Sequence, residues 1–116
     1  MPPGDRNILP GTLELLVLRA LRDGPAHGFA VSKDIRRRSN GVVDLADGAI
    51  YPALHRLEND RLVESHWGHS ETGKRAKFYT MTDEGLARLG AEAQAWHRFV
   101  DAVADILGPE YAAGGR

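Results

Sequence analysis

Apolar residues recur along this chain first at helical spacing, then at alternate positions, then at helical spacing again. Leu13, Leu16, Val17, Ala20 and Leu21 share one face of a helix that Thr12 can cap and that runs to about Arg22; Leu15 and Leu18 broaden its stripe. Gly24 and Pro25 stop it. A second helix is expected over 28–38, burying Phe29, Val31 or Ser32, and Ile35. Ser39, Asn40 and Gly41 end that helix. Val42, Val43 and Leu45 then lead to Asp47, a good N-cap for a third helix. In the third helix Ile50, Leu54, Leu57 and the stem of Arg61 form an inward stripe, while Tyr51, Pro52, His55, Arg56 and Asn59 face away. Pro52 falls near the end of the first turn, so a tight or slightly distorted start is expected.

The period then changes. Leu62 and Val63 open a strand to about residue 67, 68–73 form a turn, and 76–81 form the return strand. Alternation there places Lys77, Tyr79 and Met81 on one face and Phe78 and Thr80 on the other. Thr82, Asp83 and Glu84 supply a capping hydroxyl and two first-turn acids, which start a last helix reaching about Leu107, before Gly108 and Pro109. Its apolar residues Leu86, Leu89, Ala93, Trp96, Val100, Val103 and Leu107 alternate steps of three and four, a heptad seam. Such a helix is about 37 Å long. A unit of roughly eighty residues cannot cover it, so its overhanging half needs a partner, most simply the same helix of a second subunit.

These elements make a mainly α chain with a small β-hairpin, in the order of a winged helix-turn-helix followed by a long C-terminal dimerisation helix. The expected organisation is a flexible arm over 1–10, a winged helix-turn-helix over 11–82, a dimerisation helix over 83–108 and a flexible tail over 109–116. Arg6 in the arm is a candidate for DNA contact, set against a plain disordered tail. In this architecture the third helix enters a major groove and the hairpin, or wing, rests on adjacent backbone.

Composition bounds the function. With 116 residues, 42% hydrophobic and 27% charged, the chain has the make-up of one globular domain. No window approaches the ~20 apolar residues of a membrane span, the start has no signal-peptide core, and a cytoplasmic location is expected. Without cysteine there is no disulfide, thiolate metal site or cysteine nucleophile. The net charge of −1 argues at first against nucleic acid. Its distribution reverses that: residues 1–80 hold twelve Lys and Arg against ten acids, and residues 81–116 hold three against six. Screening over about 8–10 Å makes the local sign matter more than the total.

The candidate DNA-binding residues are Tyr51, Pro52, His55 and Arg56 on the third helix, Lys74, Arg75 and Lys77 in the wing, and Arg37 in the run Arg36, Arg37, Arg38. Arg56 has the fork that matches guanine, and Asn59 the amide that matches adenine. The arginine run equally suits the negative end of its helix dipole, and Tyr51 equally suits half-burial against the first helix. Wing cations neutralise phosphate, each adding roughly 0.9 to the salt slope. His27 is expected to cap or pack at the start of the second helix. His66 and His69 lack the four-ligand set of structural zinc. No catalytic triad, phosphate loop or carboxylate pair stands out, so neither an enzyme, a metal nor a cofactor is expected. Leu89, Ala93, Trp96, Val100, Val103 and Leu107 are the candidate dimer interface. Trp96 either fills that seam or, with Phe99, lines a cavity between subunits where a flat hydrophobic effector stacks.

Three segments carry a family resemblance: Leu15-Leu16-Val17-Leu18-Arg19-Ala20-Leu21 with Gly24 to Phe29; Gly48-Ala49-Ile50-Tyr51-Pro52-Ala53-Leu54-His55-Arg56-Leu57-Glu58; and Gly73-Lys74-Arg75-Ala76-Lys77-Phe78-Tyr79-Thr80-Met81-Thr82-Asp83-Glu84-Gly85. Over about residues 11–90 the chain resembles the PadR family of bacterial regulators. The resemblance implies a winged-helix homodimer, usually a repressor, on an inverted-repeat operator, with Tyr51 and its helix neighbours on DNA and Lys74, Arg75 and Lys77 in the wing. The single last helix is similar to the short branch of that family, in which some members stack flat aromatic drugs on a tryptophan between dimer helices; Trp96 is the implied counterpart. Ala49 departs from the Ser or Thr of many relatives, removing one hydroxyl for phosphate or capping. The rival from another class is a winged-helix module that docks a protein, with its wing cations serving solubility; it requires no salt-dependent duplex binding.

Overall fold

The computed structural model describes residues 11–112; the expected arm over 1–10, with Arg6, and residues 113–116 lie outside them. Helix α1 (Thr12–Leu21) is followed by a two-residue strand β1 (Ala26–His27), α2 (Gly28–Arg38), α3 (Asp47–Asn59), the hairpin β2 (Val63–His69) and β3 (Arg75–Met81), and α4 (Asp83–Leu107). A 3₁₀ turn, Pro109–Tyr111, opens the segment expected as a tail. The sheet has three antiparallel strands in the order β1-β3-β2. The third strand, β1, is an addition to the expected hairpin: Ala26 pairs with Tyr79 and His27 with Phe78. Two residues between Pro25 and Gly28 are too few to show a period.

The core lies where α1, α2 and α3 meet the inner face of the sheet. Val17, Val31, Ile50, Leu54, Val63 and Tyr79 are essentially inaccessible. Each such aliphatic side chain contributes about 1.5–3 kcal/mol by leaving water. Tyr79 is the largest of them; burial, then the nearby Glu58 and Tyr51, push its phenol above the ordinary value.

Several local expectations need correction. Phe29 is 58% exposed, because Val31 and Ile35 fill the inward face of α2 and Phe29 projects beside the wing. Thr12 and Asp47 are the first residues of their helices; the N-cap positions belong to Gly11 and Ala46, without a side-chain cap. Asp47 therefore acts on α3 through its charge in the first turn. Arg61 adopts a left-handed conformation (φ 62°) and is exposed, since the chain must reverse from α3 into β2 there, and Leu62 takes the inward place. The strands are longer and the turn shorter than expected: β2 reaches His69, and Ser70 N–H donates to the Lys74 carbonyl at 2.8 Å. Pro52 lies inside α3. Its missing N–H releases the carbonyl of Gly48, an exposed residue, so that carbonyl meets water.

The start of α4 is fixed by Thr82, whose hydroxyl accepts from Gly85 N–H (3.0 Å) and donates to the Arg61 carbonyl (2.9 Å). Only Gly85 and Leu89 of α4 are buried in the chain. Leu89 belongs to the chain's own core, 7% exposed, so it has little surface left for the interface expected of it. Beyond it Phe99, Val100, Ile106 and Leu107 are exposed. The chain as a whole measures 50 Å along its longest axis against 29 and 21 Å. Among the described residues no helix is long and apolar enough to cross a membrane.

Candidate nucleic-acid interface

One face of α3 builds the core through Ile50, Ala53, Leu54 and Leu57, which leaves Tyr51, Pro52, His55, Arg56 and Asn59 on the exposed face. Tyr51 is 39% exposed. Its ring packs over the first residue of α2: a Cβ on Gly28 would come within 2.6–2.8 Å of the phenol. Glycine at 28 thus lets α2 approach the residue that leads the exposed face of α3. His27 caps α2 by accepting from Ala30 N–H at 3.3 Å and sets its ring edge-on to Phe78 at 5.3 Å, so it both caps and packs.

Of the cations proposed for DNA, most are already engaged. Arg56 donates through Nε to Glu14 of α1 at 2.5 Å. Lys77 lies 3.9 Å from Glu58 of α3, and the same carboxylate accepts from the Ser65 hydroxyl of β2. The Arg75 guanidinium covers the exposed Trp67 ring at 4.1 Å. This stacking pair was not legible in the sequence, because Trp67 and Arg75 meet only through the register in which Trp67 opposes Lys77. Lys74 has no ion pair among the described residues. The wing thus presents Lys74 freely, Arg75 on an aromatic platform and Lys77 beside α3.

The arginine run is tied down locally. Arg37 reaches Asp34 at 2.6 Å, Arg38 reaches Asp34 and Asp23, and Arg36 lies 3.6 Å from Asp44. Burial acts to raise the Asp34 carboxyl, but hydrogen bonds and charge from Arg38 and Arg37 together outweigh it and hold the group below its ordinary 3.8. A carboxyl depressed in the folded state stabilises the fold above its unfolded pKa and loses that contribution as pH falls through the folded one. Asp34→Asn should therefore melt earlier than the parent near neutrality, and the two melting temperatures should converge as pH falls below about 4. Thermal melts across pH 2–7 check this; a constant gap would remove the ion pairs as its cause.

Trp96 is half-buried and its ring lies 6.2 Å from that of the exposed Phe99, tilted by 43°. Together with Gly11, Thr12, Leu15, Glu92 and Ala95 they line an open cleft of about 450 Å³ between α1 and α4. Ala93 and Val103 are half-buried, and Val100 and Leu107 exposed. Among the described residues no three His, Asp or Glu side chains gather as a metal site.

Comparison with known proteins places this geometry. The model of the "Transcriptional regulator PadR-like family" matches residues 17–91. A transcriptional regulator of Mycobacterium tuberculosis is 29% identical over 90 residues, covering 78% of this chain and 80% of its own length. Among solved structures, a PadR family regulator from Eggerthella lenta is 36% identical, covers 84% of this chain and 82% of its own, and superposes with a TM-score of 0.71. One from Clostridium difficile is 30% identical, with 84% and 100% coverage and a TM-score of 0.73.

Proposed function

This chain belongs to the PadR-like family of transcriptional regulators, and from that premise we propose that it acts as a homodimeric repressor of an inverted-repeat operator. The coarser statement, a DNA-binding transcriptional regulator and not an enzyme, follows from the family itself. Contact with DNA through α3 rests on the division of that helix: its inner face is consumed by the core, while Tyr51, Pro52, His55 and Arg56 are exposed on the same element, beside the wing. Pairing of two subunits rests on the part of α4 that the chain's own core leaves exposed. In this reading α3 reads base edges, while Lys74, Arg75, Lys77 and Arg37 set register on phosphates. The organisation is a DNA-binding unit over 11–82 and a dimerisation helix over 83–108. Pairing of α4 with its symmetry mate covers Trp96, Val100, Val103 and Leu107 and sets the spacing of the two α3 helices.

Fluorescence anisotropy tests the reading, using labelled duplex from upstream of the protein's own gene and a shuffled duplex at two salt concentrations. The expected result is tight, salt-sensitive and sequence-selective binding. No binding to either duplex at low salt overturns it in favour of the protein-docking module. Replacing Lys74, Arg75 and Lys77 together by Ala should weaken binding evenly across sequences and flatten the salt slope by about 0.9 for each cation engaged. An unchanged slope removes the wing from the interface.

A flat aromatic effector stacked on Trp96 and Phe99 at the α4 interface is the proposed release signal. It acts only if it binds the DNA-bound and released geometries with different affinity. In a Trp67→Phe background, where Trp96 is the remaining tryptophan emitter, acridine should quench the emission saturably and lower duplex affinity. Quenching that never saturates, or leaves DNA binding untouched, removes the effector site.

A further inference from the structure

Two cations of the proposed reading surface are held by carboxylates of other elements: Arg56 of α3 by Glu14 of α1, and Lys77 of β3 by Glu58 of α3. Arg37, the residue of the arginine run proposed for DNA, pairs instead with Asp34 on its own helix. Glu14 and Arg56 are 42 residues apart, so only the fold brings them together. Glu58 is anchored besides by the Ser65 hydroxyl. Glu14 is the more sheltered partner of its pair, 23% exposed against 54% for Arg56, while Glu58 and Lys77 are about equally exposed.

We infer that Glu14 and Glu58 limit the affinity for DNA, as internal competitors that a DNA phosphate must displace before Arg56 and Lys77 can engage. This inference rests on the DNA-binding reading above. Any duplex, right or wrong in sequence, offers the same phosphates. Breaking each pair therefore costs the same on a wrong sequence as on the right one. On the right sequence, α3 also gains base-edge hydrogen bonds. The acids therefore lower the affinity for every duplex and leave the ratio between right and wrong sequences about unchanged. The net charge of −1 fits a protein whose reading cations carry their own counter-ions.

Exposed ion pairs of this type correspond to about a two- to fivefold change in an equilibrium constant. In Glu14→Gln and Glu58→Gln, the amide keeps the size and the oxygen acceptor while removing the charge, so Ser65 retains its partner. Full-length variants are compared with the parent by anisotropy on the tightest duplex recovered from a randomised pool and on its shuffled version, across a salt series. Each variant is expected to bind both duplexes about two- to fivefold more tightly, with a salt slope steeper by roughly 0.9 for the released cation, and with the selectivity ratio about unchanged. Lys77→Gln added to Glu58→Gln should abolish the gain, because the freed cation is then gone. Weaker binding to both duplexes with a lower melting temperature would make the acids structural struts and overturn the inference, as would unchanged affinity and slope. A parent that binds neither duplex removes the DNA reading itself, and the inference falls with it; selective binding by a parent whose variants bind no more tightly leaves the DNA reading standing and removes only the inference.

Discussion

Val100→Glu combined with Val103→Glu should convert the protein to a folded monomer and raise the dimer dissociation constant at least ~100-fold. Both residues lie on the part of α4 that the chain's own core does not reach, next to the exposed Phe99 and Leu107. In a two-fold interface each substitution appears twice, so four carboxylates would enter an apolar seam. An uncompensated buried charge costs about 3 kcal/mol or more, and about 1.4 kcal/mol is tenfold. The fold should persist, because the elements that hold α4 to the body, Thr82, Gly85 and Leu89, lie more than ten residues away. Duplex affinity should fall with the dimer, since a second α3 no longer binds at high effective concentration. Arg98→Glu, two residues from both Trp96 and Val100 and so on the other side of the helix, is the control and should stay dimeric. Sedimentation velocity with circular dichroism decides the matter; a double variant that remains a dimer places the interface elsewhere.

Gly85→Ala should be the most damaging single methyl group in the chain. A Cβ at Gly85 would fall 2.1 Å from the Leu62 carbonyl oxygen and 2.7 Å from Met81 Cγ. The first of these is backbone, and it cannot withdraw: the Leu62 carbonyl accepts from Thr82 N–H at 3.0 Å, in the same junction that caps α4. Overpacking of this sort costs about 1–3 kcal/mol, or more where the neighbour cannot move. For a domain of this size that lowers Tm by about 4–12 °C, and by more where the cost is higher. Gly90→Ala, one turn further along, meets nothing within 4 Å. It should be neutral or stabilise by up to about 1 kcal/mol through helix propensity. Parallel thermal melts of the two variants check the pair, and similar Tm values would contradict the packing at the head of α4.

Gly85 and Gly90 are indistinguishable in the sequence, and that contrast shows where sequence reading stops. Periodicity located α2 and α4, the hairpin and the outward residues of α3, because each follows from which positions must leave water. Thr82 was legible as a cap because a hydroxyl followed by two acids is a local signal. What depends on residues distant in sequence was not legible. Strand β1 exists because β3 offers it an edge. Phe29 is exposed because Val31 and Ile35 suffice for the inner face of α2. Arg56 and Lys77 were readable as cations, but not that Glu14 and Glu58 hold them. Leu89 fits the α4 seam by spacing alone, yet the body claims it first. Composition understated the candidate surface for a related reason: the total charge counts those acids, while it is their position against particular cations that governs the interface.

The central proposal is that two copies of this chain, joined along α4, place two α3 helices on one duplex. The most direct test is hydroxyl-radical footprinting of the complex with the selected duplex, combined with its stoichiometry from sedimentation. The account predicts two chains per duplex and two protected patches related by two-fold symmetry, about 34 Å or a multiple of that apart along the axis. One chain per duplex with a single protected patch would contradict it.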